Sequence, residues 1–333
     1  MKRKILITGS EGFIGSHLTE TLVKSGYDVK ALILYNFNNS LGWLEKIDKK
    51  YLDKIDIITG DIRDLGFLLK ITKNIDTIIN LAALISIPYS YNAPYSNIET
   101  NIMGTYNILE ASKWNKLNKI IMTSTSEVYG TAQKVPINED HPINPQSPYA
   151  ASKSSSDKIS MSYFKSYGLP VCILRPFNTF GPRQSLRAII PSIMTQALSN
   201  KKVVKVGNLN PRRDFTYIDD TVKAFMLALK SKKVFGQEIN IGNGFDLSIK
   251  DYIQILKKDL NLDFKIKIES KRLRPNKSEV FRLLASNQKA KRILKWKPMY
   301  SGLTGFKKGL FKTLEWYKDP ENLENFNTNI YNI

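Results

Sequence analysis

Gly9-Ser10-Glu11-Gly12-Phe13-Ile14-Gly15 follows at once on the β-branched run Lys4–Thr8 and runs into the helix-length pattern Gly12–Lys24. Glycines spaced three apart let the chain turn tightly at a strand end. They also let backbone N–H groups approach a pyrophosphate, with the partial positive charge of a helix N-terminus behind them. A turn with a purely structural duty does not require all three. Working outward, short β-branched runs recur at Val29–Leu34, Ile55–Thr59, Thr77–Leu81, Lys119–Thr123 and Val171–Arg175, with helix-length stretches such as Ile98–Lys113 between them. Such alternation implies an α/β fold with a parallel sheet covered on both faces.

After Arg175 the pattern loosens. Pro176, Gly181, Pro182 and Pro191 punctuate it, then Gly207 and Pro211, and helical stretches return at Asp219–Lys230, Ile249–Leu260 and Ser286–Leu294. We expect a Rossmann-type doubly wound sheet over residues 1–177 and about 215–245. A smaller, partly discontinuous C-terminal substrate lobe is expected over about 178–214 and 246–320, and an Asn-rich, poorly ordered tail over 321–333.

Composition narrows the class. A chain of 333 residues with 42% apolar content can bury a stable core and is not disordered throughout. Its one cysteine, Cys172, rules out an internal disulfide and suits a reducing compartment. The basic start Met1-Lys2-Arg3-Lys4 leads only into Ile5-Leu6-Ile7, too short for a signal core or a membrane span. A cytoplasmic protein with no membrane partner is expected. The net charge of +20 raises nucleic-acid binding as a reading. The lysines are scattered, however, and the densest stretches are Lys46–Lys50, Lys201-Lys202 and Lys271–Arg274. No DNA-reading motif or zinc-ligand spacing accompanies them. We read the charge as solvated surface, part of it serving a phosphorylated substrate, and expect no nucleic-acid partner and no metal.

Tyr149 and Lys153 stand four residues apart, behind a capping Ser147 and Pro148 at the first turn. On a helix both side chains share one face. A neighbouring ammonium stabilises tyrosinate and lowers the phenol from its usual value of about 10, which makes it a usable base near neutrality. Lysine can also hold a nicotinamide ribose. Ser124-Thr125 ends the preceding strand.

With the glycine loop, these residues make the chain resemble an extended short-chain dehydrogenase/reductase of the nucleotide-sugar epimerase/dehydratase family, from Lys4 to about Trp316. Asn80-Leu81-Ala82-Ala83, Asn101-Ile102-Met103-Gly104-Thr105, Leu174-Arg175-Pro176-Phe177-Asn178, Phe180-Gly181-Pro182-Arg183, Arg213-Asp214-Phe215 and Asn240-Ile241-Gly242 follow in the family's order. The family often has His where Asn80 stands. The resemblance implies a dinucleotide held by Gly9, Gly12, Phe13, Ile14 and Gly15, by Asn36, Asp61 and Ile62, and by Leu81, Ala82 and Ala83. Thr123, Tyr149, Lys153 and Arg175 complete that set. It implies Ser86, Ser126, Glu127, Asn178, Arg213 and Arg274 against the substrate, the two arginines gripping the diphosphate. The second strand runs out into Leu34-Tyr35-Asn36-Phe37-Asn38, with neither the usual ribose-binding acid nor an arginine. NAD is expected and NADP stays open. The family's mode of pairing implies a homodimer through Ile98–Lys113 and Tyr149–Tyr167.

The stretch that bears on the reaction is Ser124-Thr125-Ser126-Glu127-Val128-Tyr129-Gly130. Family epimerases carry small or apolar residues at the position of Glu127, and dehydratases carry an acidic or Ser-Glu pair. Some decarboxylases also show Ser-Glu. A carboxylate there suits 4,6-dehydration. Tyr149 takes the C4 hydroxyl proton as hydride leaves C4, the 4-ketone acidifies C5, Glu127 removes the C5 proton, the C6 hydroxyl departs as water, and the stored hydride then returns to C6. Thr125, Glu127, Tyr149 and Lys153 are the catalytic candidates. Gly42-Trp43-Leu44, Ala83–Ser90 and Asn144–Lys153 are similar to bacterial dehydratases of the legionaminic-acid pathway, which act on nucleotide-linked N-acetylglucosamine, GDP-linked there. The alternatives are a 4-epimerase or decarboxylase of the same fold, or a non-catalytic cofactor-sensing or nucleic-acid-binding protein. Intact Thr125, Tyr149 and Lys153 argue against the last.

Overall fold

Six of the β-branched runs become adjacent strands in the computed structural model, which describes residues 3–199, 202–323, 326 and 331. They are β1 (Lys4–Thr8), β2 (Asp28–Ile33), β3 (Ile55–Thr59), β4 (Thr77–Asn80), β5 (Lys119–Thr123) and β6 (Val171–Pro176). A seventh strand, Glu238–Ile241, returns from the far half of the chain to pair with β6. The order across the sheet is Glu238–Ile241, β6, β5, β4, β1, β2, β3, every pair parallel. This is the Rossmann-type fold expected from the sequence. Side chains alternate between faces along each strand. Ile5 and Ile7 of β1 join one apolar core, and Leu6 joins another on the opposite face. Cys172 lies fully buried in β6.

Chain order reverses between β1 and β4, because β1 leads out to β2 and β3 before the chain crosses back to β4. The crevice beyond the carboxyl ends of these strands is where such sheets bind ligands. Helix α1 (Phe13–Lys24) begins there, directly after β1.

The remaining strands form a smaller body over that edge. Arg212–Tyr217 pairs in parallel with Asn178–Phe180 and Arg282–Leu283 and antiparallel with Asp246–Ser248. Val203–Val206 and Lys265–Ile268 pair separately. The rings of Phe180 and Phe215 pack on Phe306 at centroid distances of 5.2 and 5.7 Å, continuous with the core beneath the large sheet.

One expected helix is interrupted. Ile98–Lys113 opens as a π-helix, Ile98–Met103, and becomes α-helical over Gly104–Trp114. The Asn101 carbonyl accepts from Ser156 Oγ at 2.6 Å, a bond from a neighbouring helix that competes with the regular ladder. Of the expected tail, Phe326 rests against Trp43 and Tyr317, and the Tyr331 ring lies 4.5 Å from the Arg272 guanidinium. Residues 324, 325, 327–330, 332 and 333 lie outside the described residues, as do Met1, Lys2 and Lys201. No helix among the described residues is long and apolar enough to cross a membrane, and those residues hold no group of metal-binding side chains.

Candidate active site

The glycine loop is built so that no side chain stands between the chain and a ligand. Gly9 has φ +67°, and a Cβ on it would lie 2.9 Å from Ala82 N. A Cβ on Gly15 would lie 2.0 Å from Gly9 O. Gly12 caps α1 with no side-chain hydrogen bond, so the N–H groups at Phe13 and Ile14 open the helix without an internal partner. Thr8 ties the two sides of the crevice together. Its Oγ1 donates to Asn80 Oδ1 at 2.6 Å and accepts from the Leu81 and Ala82 N–H groups at 3.2 and 3.1 Å. That bond sets Leu81, Ala82 and Ala83 beside the loop. A bare helix N-terminus, and a Gly9–Ala82 contact too close for a side chain, suit a dinucleotide pyrophosphate.

Further along the crevice the expected contacts divide. Asp61 accepts from Arg63 N, Nε and Nη2; burial pushes its carboxyl up, but these bonds hold it below the usual range. Ile62 is buried against Gly104. Asn36 is turned inward on its own loop: Nδ2 donates to Ser40 O at 2.9 Å, and Oδ1 accepts from Ser40 N at 2.9 Å. What it contributes is the shape of the segment after β2. Arg175 needs a correction as a cofactor cation. Its guanidinium is buried and donates to Asp157 Oδ2 and Tyr129 OH, with Glu238 at 2.9 Å. Its part is to hold Asp157, which in turn accepts from Ser124 Oγ at 2.7 Å.

Ser147 Oγ accepts from Ala150 N and Pro148 opens the helix Pro148–Tyr167, so Tyr149 and Lys153 do share a helix face. Both are buried. Lys153 Nζ donates to Thr123 O at 2.6 Å, beneath Thr125. The expected lowering of the tyrosine is not what this geometry produces. Burial pushes the Tyr149 phenol far above its usual value; a hydrogen bond with Thr125 draws it down, and the Glu127 charge adds to the rise. Burial also lowers Lys153, against the pull of Asp157.

Thr125 caps a short turn, Ser126–Tyr129, by accepting from Glu127 N at 3.2 Å. That turn buries Ser126 and Glu127 at the strand exit. Two guanidinium groups come from the smaller lobe. Arg274 Nη1 lies 4.0 Å from Glu127 and 3.8 Å from Glu279, and Arg213 Nη2 lies 3.6 Å from Glu279. Arg274 Nη1 and Asn178 Oδ1 are both buried and lack a hydrogen-bond partner among the described residues. A buried polar atom left so is costly, and a phosphate or sugar hydroxyl would satisfy it. Ser86 caps the helix Ile87–Asn92 by accepting from Tyr89 N. The segment before it is pinned by Asn101, whose side chain exchanges bonds with Leu84 N and O and donates to Ser152 Oγ.

Thr125, Glu127, Tyr149, Lys153, Arg213 and Arg274 are thus brought together at the crevice. Glu279 and Asp157 belong to the same network and were not anticipated. Asp157 falls one helical turn after Lys153, a signal the spacing carries; Glu279 has none.

These features define an extended short-chain dehydrogenase/reductase that handles nucleotide-sugars. The chain belongs to the family described as GDP-mannose 4,6 dehydratase, whose profile matches residues 6–309. It is 32% identical to a human dTDP-D-glucose 4,6-dehydratase, over 97% of this chain and 92% of that protein. Among solved structures it resembles a dTDP-glucose 4,6-dehydratase from Streptomyces venezuelae with NAD bound (TM-score 0.83, 28% identity, covering 96% of this chain and 98% of that one). It also resembles a UDP-glucuronic acid 4-epimerase from Bacillus cereus in complex with UDP-glucuronic acid and NAD (TM-score 0.84, 32% identity, covering 95% and 99%). The family therefore spans dehydratases and epimerases.

Proposed function

We propose that the protein is an NAD-dependent nucleotide-sugar 4,6-dehydratase, a lyase that forms a 4-keto-6-deoxy sugar from nucleotide-linked N-acetylglucosamine. GDP-N-acetylglucosamine is the first candidate and the UDP-linked sugar the second, for a surface sugar of the legionaminic-acid type. The observation that carries the reading is Glu127: a buried carboxylate in the short turn that Thr125 caps, close enough to Tyr149 for its charge to be felt there. NAD is favoured because the similar dehydratase and epimerase structures hold it.

Bound NAD would supply the reversible hydride acceptor, and its oxidised ring a positive charge that favours tyrosinate. The chain's own residues do the rest. Tyr149, steadied by Thr125, takes the C4 hydroxyl proton. Glu127 removes the C5 proton once C4 is a ketone, and C5 takes a proton back as the hydride taken from C4 is delivered to C6. Ser126 is too weak an acid to protonate the departing C6 hydroxyl, so that proton comes from Glu127 or Tyr149. Lys153, anchored on Thr123 O, holds the nicotinamide ribose. Arg213 and Arg274 bind the diphosphate, with Asn178 beside it.

A second reading, 4-epimerase, is favoured by the Arg274–Glu127 contact, which would make Glu127 a partner for a binding arginine rather than a base. Mass spectrometry separates the two. Purified protein is incubated with GDP- or UDP-N-acetylglucosamine or GDP-mannose, without and with added NAD or NADP. Loss of one water from one substrate supports dehydration and names the nucleotide. An unchanged mass with a new isomer by chromatography replaces it with epimerisation.

A cytoplasmic homodimer belongs to the same proposal. Exposed Ile98, Met103, Tyr106, Trp114 and Tyr167 on the two candidate pairing helices support it. Light scattering after size exclusion would read the mass directly.

A further inference from the structure

We infer that Glu11, carried on the glycine loop, is the acid that reads the adenosine ribose and makes this site take NAD in preference to NADP. The inference rests on the dinucleotide reading above. In sheets of this kind the ribose lies over the end of the second strand, where an acid from that strand accepts from its hydroxyls. Here β2 ends at Ile33 and is followed by Leu34-Tyr35-Asn36-Phe37, which carries no charge. Asn36 is a poor stand-in, because it is uncharged and both polar atoms of its side chain are already bonded to Ser40.

The missing carboxylate arrives from the glycine loop that follows the neighbouring strand, β1. Glu11 Oε1 accepts from Leu34 N at 2.9 Å, which fixes the carboxylate at the tip of β2. Its other oxygen is buried and has no hydrogen-bond partner among the described residues. None of the ion pairs among those residues involves Glu11, so no neighbouring cation neutralises it. The backbone around it is clamped as well. Trp43 N donates to Glu11 O at 3.0 Å, and Gly42, at φ +57°, lies so close that a Cβ there would sit 2.9 Å from Glu11 Cβ. The acid therefore cannot readily swing aside. A ribose hydroxyl donates to such an oxygen. A 2′-phosphate would set two negative groups side by side in a partly buried place, with nothing between them.

The test is equilibrium titration of the purified protein with NADH and with NADPH, followed by nicotinamide fluorescence, alongside the Glu11→Gln variant. Glutamine keeps an acceptor for Leu34 N and removes the charge, and matching melting temperatures would show the fold retained. Wild type should bind NADH about tenfold or more tightly than NADPH. Glu11→Gln should weaken NADH by about tenfold and narrow the ratio, the expected loss for a charge-assisted hydrogen bond. Equal affinities in the wild type, or an unchanged ratio in the variant, would overturn the inference and leave the dinucleotide reading standing. If wild type binds neither dinucleotide, the cofactor reading itself falls and this inference with it. If Glu11→Gln does not fold, Glu11→Asp, which keeps the charge but withdraws it from Leu34 N, should narrow the ratio in the same way, and an unchanged ratio there would overturn the inference.

Discussion

On the β1 side of the crevice the groups offered to a ligand are backbone N–H groups, bare because glycine stands at positions 9, 12 and 15. On the lobe side they are the charged side chains of Arg213, Arg274 and Glu279, from segments far apart in sequence, which face Glu127 at the exit of β5. The first kind of site fails by steric exclusion, since one added carbon has nowhere to go. The second fails by degrees, since Arg274 and Glu279 each have two partners and solvent can replace part of what is lost. Between them lies the Tyr149–Lys153 helix face, where the position of a single atom decides chemistry.

This contrast can be broken by substitution. The largest effect should come from Gly15→Ala. Its Cβ would meet Gly9 O at 2.0 Å, backbone against backbone, so the loop must move. Dinucleotide binding should be lost in a fluorescence titration, with a stability cost of about 1–3 kcal/mol by denaturant melts. Near-normal binding would show that the loop is softer than its packing implies.

Next come the two chemical groups. Tyr149→Phe should lower turnover by about a thousandfold and block reduction of the cofactor by substrate. Glu127→Gln should abolish dehydration, yet still allow slow cofactor reduction, read as absorbance of the reduced nicotinamide. Loss of both signals in a folded Glu127→Gln protein would count against the base role.

The arginine pair sharpens the contrast from the other side. Arg213 is buried against Glu279, and removing it leaves that buried carboxylate only the partly exposed Arg274, at 3.8 Å. Arg213→Ala should therefore cost about 3 kcal/mol in stability as well as weakening substrate binding. Arg274 is 27% exposed, and its ion pairs are screened. Arg274→Ala should raise KM at a stability cost of about 1 kcal/mol or less. The smallest effect belongs to Asn36→Ala, which breaks the bonds to Ser40 and should cost about 1 kcal/mol. A large loss of dinucleotide affinity in that variant would mean that Asn36 touches the ligand after all.

The same contrast explains what could be read in advance. The strands of the large sheet are β-branched runs, the inner ones buried on both faces, and a glycine turn announces its own geometry. β1, β3 and β5 accordingly begin and end where the pattern says. The lobe is different. Arg282–Leu283 is two residues long, and Lys265–Ile268 is exposed throughout, so neither carries a periodic signal. Both exist because a distant partner supplies the hydrogen bonds. Tyr149 and Lys153 were legible from spacing, but the state of the phenol was not. It follows from burial and from the nearby Glu127 charge, which only the folded chain determines. Arg175 misled because its neighbours along the chain resemble a binding motif, whereas its partners Asp157 and Glu238 are set by packing.

The solitary thiol in β6 has a practical consequence. Cys172 has no exposed surface, and burial pushes its ionisation up to about 12. Alkylating reagents attack thiolates, so the folded molecule should be inert to them, and each labelling event should mark a moment when the sheet has come apart. Pulsed labelling would then turn the untagged wild-type chain into a clock for its own opening. Slower ticking with bound dinucleotide would measure how firmly the ligand holds the two halves together.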